Sequence, residues 1–248
     1  MRVDIVIPAR YGATRLAGKP LLRATGKYLV QHVYERAKLS KRARNVIIAT
    51  DDARIEAAVK SFGADCVMTS RDHLSGTDRI AEVARQLDSD VVINLQGDEP
   101  EIEPAALDML PDLLERDPEA TIATAAAAVP SLEAFNNPAC VKVVCDHRGR
   151  ALYFSRSPIP YVRDAEPDFK ARPARFLQHL GLYAFRRKAL FEIAALPPEP
   201  LELSEKLEQL RALATGRIIQ VGIVNHAARG VDTFEDYERF RRSFARVA

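Results

Sequence analysis

The fold of this chain is decided by residues 3–20, VDIVIPARYGATRLAGKP, where a short apolar run passes directly into a basic loop that contains glycine. The run from Val3 to Pro8 has the length and composition of a buried strand. In open α/β sheets, ligands bind at the carboxyl ends of such strands. The loop that follows Pro8 is therefore the first candidate for a ligand-binding or catalytic site.

Strand and helix patterns alternate from this first strand to about residue 96. Predicted strands at 45–50, 66–69 and 90–96 alternate with predicted helices at 29–39, 53–62 and 77–87. The strand DVVINLQ at 90–96 shows no apolar–polar alternation, which is typical of a strand covered on both faces. The repeated units predict an α/β fold with a doubly wound, mainly parallel sheet flanked by helices.

The pattern changes after about residue 120. Further predicted strands are 121–129, 140–146, 151–155 and 218–224, with a hairpin turn at 147–150. Ser204 to Thr215 predicts one helix with Ser204 as its N-cap, and 234–245 predicts a final helix. We expect a single domain over residues 1–248 that includes a smaller antiparallel lobe at approximately 125–190.

Composition excludes several classes of partner. The net charge of +2 over 248 residues is too small for a general affinity for nucleic acid or for anionic membranes. The sequence has no apolar stretch near the roughly 20 residues of a membrane span. Its three cysteines cannot all pair internally and lack metal-site spacing, which favours a reducing, cytoplasmic location.

The loop after Pro8 has the chemistry of a phosphate-binding loop. It is neither a Walker A loop nor a G-x-G-x-x-G motif, because Gly12 and Gly18 have the wrong spacing. Its cations, Arg10, Arg15 and Lys19, suit a triphosphate, and its glycines allow close backbone approach. A solvated basic loop is the alternative.

Two further loops follow predicted strands. In TSRDHLSGTDR (69–79), the residues that we expect near a nucleotide are Arg71, Ser75, Gly76 and Thr77. Small hydroxyl residues before a helix also cap its N-terminus, which is the alternative. In NLQGDEP (94–100), Asp98 is the first candidate Mg²⁺ ligand and Glu99 the second, while Gln96 is a candidate substrate contact. A capped turn is the alternative there.

In combination, these motifs resemble the 3-deoxy-manno-octulosonate cytidylyltransferases, or CMP-Kdo synthetases. The resemblance runs almost end to end through IPARYGATRLAGKPL (7–21), ATDD (49–52), SGTDR (75–79), NLQGDEP (94–100), NPACVKVV (137–144), ALYFSRSPIPY (151–161), HLGLYAFRR (179–187), EKLEQLR (205–211) and GVDT (230–233). It implies an α/β fold with a Rossmann-like sheet, and a homodimer that dimerises through the smaller antiparallel lobe. It also implies CTP and Kdo as substrates, Mg²⁺ as cofactor, and CMP-Kdo for lipopolysaccharide in Gram-negative bacteria as product.

The resemblance also assigns roles to residues. The catalytic positions match Arg15, Lys19, Asp98 and Asp232. The nucleotide-phosphate positions match Arg10, Arg15 and Lys19, and the two magnesium carboxylates match Asp98 and Asp232. The sugar-binding positions that match are Arg156, His179, Tyr183, Glu208 and Gln209, with Gln96 added from the third loop. Without the resemblance, the sequence favours His179 and Tyr183 as core residues. It likewise favours Glu208 and Gln209 as part of a solvated helix face, and Asp232 could be only a helix cap.

The chain departs from the family pattern in the first loop. Ala13 stands where the family commonly has serine, and Ala17 where it commonly has proline. Both changes affect the expected affinity for the nucleotide more than the type of reaction. The alternative functions are a cytidylyltransferase for 8-amino-Kdo or a sialic acid, and a non-catalytic nucleotide-binding protein.

Overall fold

The computed structural model describes residues 1–12, 16–171 and 173–245. The chain consists of two compact units. Unit 1 consists of Met1–Asp108 with the C-terminal segment from Ala228, and unit 2 is Met109–Ala227. No helix among the described residues is long and apolar enough to cross a membrane.

Unit 1 is built on a four-stranded parallel sheet in the order β3-β2-β1-β4. Its strands are β1 (Val3–Ala9), β2 (Ala43–Thr50), β3 (Asp65–Met68) and β4 (Val91–Asn94). Its helices are α1 (Leu29–Ala37), α2 (Ala53–Ser61), α3 (Gly76–Ala84), the first residues of α4 (Pro104–Arg116) and the C-terminal α9 (Phe234–Ala245). Every residue of β1 and β4 is buried, as the apolar runs predict.

Local chemistry fixes where the helices of unit 1 begin and end. The Asp52 side chain caps α2 by accepting from the backbone N–H of Arg54 at 2.9 Å. Gly63, just past the end of α2, has φ of 75°, as predicted for a C-cap glycine. Ser75 and Asp78 form a reciprocal capping box at α3. These caps fix the loops that follow β2 and β3.

Unit 2 contains mixed pairing. Its elements are β5 (Ile122–Ala128), α5 (Leu132–Asn136), β6 (Lys142–Cys145), β7 (Ala151–Ser155), β8 (Leu177–Arg186), α6 (Arg187–Ala194), α7 (Pro200–Glu205), α8 (Gln209–Ala214) and β9 (Ile219–Val224). β6 pairs antiparallel with β7 through the predicted hairpin turn, where Gly149 has φ of 77°. β5 pairs antiparallel with β8 and parallel with β9. A separate lobe at 125–190, and its use in dimerisation, stay predictions.

The single helix predicted from Ser204 to Thr215 is wrong. α7 ends at Glu205, α8 begins at Gln209, and Ser204 lies inside α7 instead of capping a helix. The break occurs because Lys206 adopts a left-handed conformation with φ of 53°. The Arg156 guanidinium donates to the carbonyls of Glu205 and Lys206, which stabilises this turn.

Candidate active site

Three charged side chains from distant parts of the sequence meet in unit 1. Lys19 Nζ lies 2.6 Å from Asp98 Oδ2 and 3.3 Å from Asp232 Oδ1. Asp98 follows β4, and Asp232 lies just before α9. The backbone joins them, because Val231 N–H donates to the Asp98 carbonyl at 2.8 Å. The Lys19 side chain is only 12% exposed, so its charge is directed at the two aspartates.

The first loop is folded so that Lys19 reaches this place. Gly18 N–H donates to the Tyr11 carbonyl at 2.9 Å, which closes the loop. Gly18 has φ of 67°, and a Cβ there would lie 3.1 Å from the Tyr11 ring. The Arg54 guanidinium covers the same ring at 3.3 Å from its centroid. Only glycine fits this position without strain.

Glu99, the alternative metal ligand, has a different environment from Asp98. Burial raises the pKa of Glu99 to about 8, and the carboxylates of Asp98 and Asp232 add to the shift. Its Oε1 lies 3.1 Å from the position of a Cβ on Gly230. Of the two neighbouring acids, Asp98 is the one that contacts Lys19, and it is the better candidate for an ionised ligand.

Arg10 connects the first and second loops. It donates to the carbonyls of Ser75 at 2.6 Å and Leu74 at 3.3 Å. Burial, with the neighbouring Arg79 charge, lowers the pKa of Arg10 from its ordinary value. The Ser75 hydroxyl caps α3 by accepting from the Asp78 backbone N–H, as the capping interpretation of the second loop expects. The same loop also lies beside Arg10.

Arg79 is a residue of this site for which the sequence analysis predicts no role. Its side chain has no exposed surface, and it donates to Thr69 Oγ1 and, at 3.0 Å, to Asp51 Oδ2. It thereby ties the loops after β2 and β3 to α3. The signal was available, because ATDD and SGTDR both belong to the motifs that carry the resemblance.

The remaining residues predicted to bind the nucleotide differ in their contacts and in their burial. The Gln96 amide lies 3.6 Å from a Cβ position on Gly76 and donates to Asn94 Oδ1 at 3.0 Å. Thr77 is buried in the first turn of α3, whereas Arg71 is exposed on the loop. Arg15 and Ala13 lie outside the described residues, so their predicted roles stay predictions.

Unit 2 brings the predicted sugar residues His179 and Tyr183 together. Their ring centroids are 5.3 Å apart, and His179 Nε2 lies 3.0 Å from Thr124 Oγ1. Burial lowers the pKa of His179 to about 3, so its imidazole is neutral at neutral pH. Burial also raises the pKa of Tyr183, and the charge of the nearby Glu208 adds to this effect. Neutral donors and acceptors of this kind suit sugar hydroxyls.

Gln209 is the residue of unit 2 that points most directly to a ligand. Its side chain is buried, and Nε2 has no hydrogen-bond partner within the described part of the chain. A buried amide without a partner is costly, so such groups are normally satisfied by water or ligand. The interpretation of Gln209 as part of a solvated helix face is wrong, because its side chain is only 9% exposed.

The acidic pair of unit 1 fits a divalent cation. Asp98 and Asp232 already share one positive group, the Lys19 ammonium. Mg²⁺ is commonly held by one or two carboxylates and completed by water and substrate phosphates. Across residues 1–12, 16–171 and 173–245, no three or more His, Cys, Asp or Glu side chains form a metal-binding group. The pair therefore fits a cation that is shared with a polyphosphate.

Comparison with known proteins agrees with this geometry. Residues 5–219 match the family model described as cytidylyltransferase. The 3-deoxy-manno-octulosonate cytidylyltransferase of Geobacter sulfurreducens is 47% identical over 96% of this chain and 98% of its own. The enzyme of that name from Rhodopirellula baltica is 49% identical over 97% of each chain. The chain belongs to this family.

Solved structures agree with the family and with the fold. A CMP:2-keto-3-deoxy-manno-octonic acid synthetase complexed with CTP superimposes with a TM-score of 0.93 at 45% identity, over 100% of both chains. A nucleotidyl transferase of Methanothermobacter superimposes with a TM-score of 0.63 at 14% identity, over 100% of this chain and 99% of its own. The second likeness concerns the fold alone. The predicted α/β, Rossmann-like class of this cytidylyltransferase is confirmed.

Proposed function

We propose that Lys19, Asp98 and Asp232 carry the reaction of this cytidylyltransferase, which transfers CMP from CTP to the anomeric hydroxyl of Kdo. The protein is a CTP-dependent nucleotidyltransferase that makes CMP-Kdo. The sugar oxygen attacks the α-phosphorus, and the bond between that phosphorus and the oxygen bridging it to the β-phosphate breaks. Pyrophosphate leaves, and the hydroxyl proton is released. The observation that carries the proposal is the bridging of both aspartates by Lys19.

The residues of unit 1 supply positioning and charge. Such transfers depend on alignment and electrostatic stabilisation more than on covalent chemistry by the protein. Lys19 offsets the negative charge of the phosphates, and Arg10 holds the first loop against the second at Ser75. Asp98 and Asp232 hold the cation. Arg15, Arg71, Thr77 and Gly76 complete the proposed nucleotide site, with Gln96 at its edge.

Members of this family typically use a divalent cation, and we propose Mg²⁺ held by Asp98 and Asp232. When bound, it supplies charge neutralisation at the phosphate oxygens. In unit 2, the Gln209 amide, whose Nε2 has no partner among the described residues, and the neutral imidazole of His179 are proposed to bind sugar hydroxyls. The proposal further includes a cytoplasmic homodimer that supplies CMP-Kdo for lipopolysaccharide, which the resemblance supports.

A pyrophosphate-release assay tests the function. The complete reaction contains CTP, Mg²⁺ and Kdo. We expect release that depends on all three and falls sharply when UTP replaces CTP or when EDTA is added. Release without sugar, or equal release with a sialic acid in place of Kdo, would contradict the proposal. Equal release with UTP would contradict the assignment of CTP.

A further inference from the structure

Lys142, the first residue of β6, is a lysine with no exposed surface. Its ammonium donates to three backbone carbonyls: those of Asn137 at 3.1 Å, Cys140 at 2.6 Å and Arg156 at 2.6 Å. An ammonium has three N–H donors, so each donor has one acceptor. Burial lowers the pKa of Lys142, as expected for a charge removed from water. A buried charge satisfied by main chain alone holds these backbone segments in fixed positions.

Arg156 is held from several directions. Its Nε donates to the Glu205 carbonyl at 2.6 Å, Nη1 to Pro138 at 2.9 Å and Nη2 to Lys206 at 3.3 Å. A guanidinium has five N–H donors. Within the described ranges, these bonds use three donors and leave two on the terminal nitrogens of a partly exposed side chain. Donors on the two terminal nitrogens of a guanidinium can bind a carboxylate together.

The main chain of Arg156 is fixed on both sides. Its N–H donates to the Glu205 carboxylate at 2.9 Å, and its carbonyl accepts from Lys142. The same carboxylate accepts from the Ser155 hydroxyl at 2.6 Å. Two cations and one carboxylate leave the cluster with one excess positive charge. Such a cluster favours an anionic ligand at the exposed end of Arg156.

We propose that Lys142 is a positioning residue, whose buried ammonium fixes the backbone of Arg156 so that two guanidinium donors bind the carboxylate of the acidic sugar. The inference rests on the proposed function, since it concerns the sugar that this chain activates. A guanidinium fixed before binding loses little conformational entropy when it binds, so the hydrogen bonds from Lys142 contribute to sugar affinity. Lys142 itself makes no contact with the sugar in this proposal.

Steady-state kinetics of Lys142→Met test the proposal, because methionine keeps the length of the side chain and removes its donors. We expect the KM for Kdo to rise about 10- to 100-fold, the effect of misplacing one charge-assisted hydrogen bond. The KM for CTP, and CTP affinity measured by calorimetry without sugar, should stay within about twofold, since the sugar contact alone is lost. Lys188→Met is the matched control, because the Lys188 side chain is 91% exposed.

The outcomes separate this inference from the proposed function. If the unaltered protein releases no pyrophosphate with CTP and Kdo, the proposed function fails. If it is active and Lys142→Met keeps the ordinary KM for Kdo, or raises both KM values equally, the inference is overturned. Should Lys142→Met be insoluble, Lys142→Gln replaces it, because an uncharged amide with two N–H donors cannot satisfy all three carbonyls. A rise in the KM for Kdo alone is again expected. An ordinary KM for Kdo in a folded Lys142→Gln protein would equally overturn it.

Discussion

The charges around a single side chain, Lys19, make the clearest prediction for activity. Asp98→Ala removes the carboxylate 2.6 Å from Lys19 Nζ and one of the two groups proposed to hold the cation. Because the proposed reaction depends on neutralising phosphate charge, we expect kcat to fall roughly 10²- to 10³-fold. Pyrophosphate release at saturating Mg²⁺ measures the loss, and circular dichroism checks that the protein remains folded.

Asp88→Ala provides the control for this experiment. The Asp88 side chain is 76% exposed and pairs with Arg2 near the amino end of β4, so its loss should leave kcat unchanged. A near-normal kcat for Asp98→Ala would show that Asp98 is not a metal ligand. Equal losses in both variants would point to a general effect of surface charge.

Arg79 makes a prediction for stability. Arg79→Met removes a guanidinium with no exposed surface and leaves Thr69 and Asp51 without their donor. Because breaking a buried charged contact is costly, we expect the free energy of unfolding to fall by roughly 2–4 kcal/mol. Urea denaturation measures the change. Arg241→Met, whose side chain is 41% exposed, should cost less than about 1 kcal/mol; equal effects would show that the buried contact adds nothing.

Among the loops, the one after β4 tolerates least change. A Cβ on Gly97 would lie 3.0 Å from the backbone carbonyl of Pro8, at the end of β1. Because a backbone oxygen cannot rotate away as a side chain can, Gly97→Ala should push β1 from the β4 loop and displace Asp98. We expect a loss of about 1–3 kcal/mol in unfolding free energy and a higher KM for CTP.

Gly181→Ala is the control for Gly97→Ala. Gly181 lies on β8, and no atom of the residues that the structure describes comes within 4 Å of the added methyl group. The unfolding free energy of this variant should therefore change little. Unfolding free energies of the two variants, measured side by side in urea, decide the matter. If Gly97→Ala is as stable as Gly181→Ala and binds CTP normally, the close approach of Gly97 to the Pro8 carbonyl has no importance for the site.

Strands and helices with strong periodicity were predictable, and elements with conflicting signals were not. β7 and α9 have the predicted bounds, because nothing in their sequences opposes the pattern. α4 was missed, since Pro111 lies inside it and interrupts the helical signal. The break at Lys206 depends on bonds from Arg156, fifty residues away in sequence. Tertiary contacts of that kind leave no local pattern.

The same distinction holds for the site. The loops after β1, β3 and β4 were located from the positions of predicted strands alone. The meeting of Asp98 and Asp232, 134 positions apart, followed only from the resemblance, because no spacing rule joins a loop to a segment before the last helix. Lys142 read as one residue of a predicted strand, since burial of its ammonium depends on how three carbonyls are arranged in space.

For the protein as a whole, pH affects stability through a histidine in each unit. Burial lowers the pKa of His32, which lies in α1 and contacts the rings of Phe240 and Phe244 edge-on, and lowers the pKa of His179 to about 3. Below the ordinary value of 6.5, the unfolded chain takes up protons that the folded chain does not. Stability from both histidines is therefore present above pH 6.5 and is lost as the pH falls.

We therefore expect the free energy of unfolding to decline between pH 7 and pH 5, with each histidine contributing at most about 1.4 kcal/mol per pH unit. A second decline should follow below pH 3.8, where Asp52 and Asp236, whose folded pKa values are about 2, lose their stabilising charge. Urea unfolding at a series of pH values measures both. The double variant His32→Gln, His179→Gln should flatten the first decline and leave the second. A flat curve for the unaltered protein from pH 7 to pH 5 would mean that neither imidazole is kept neutral by folding.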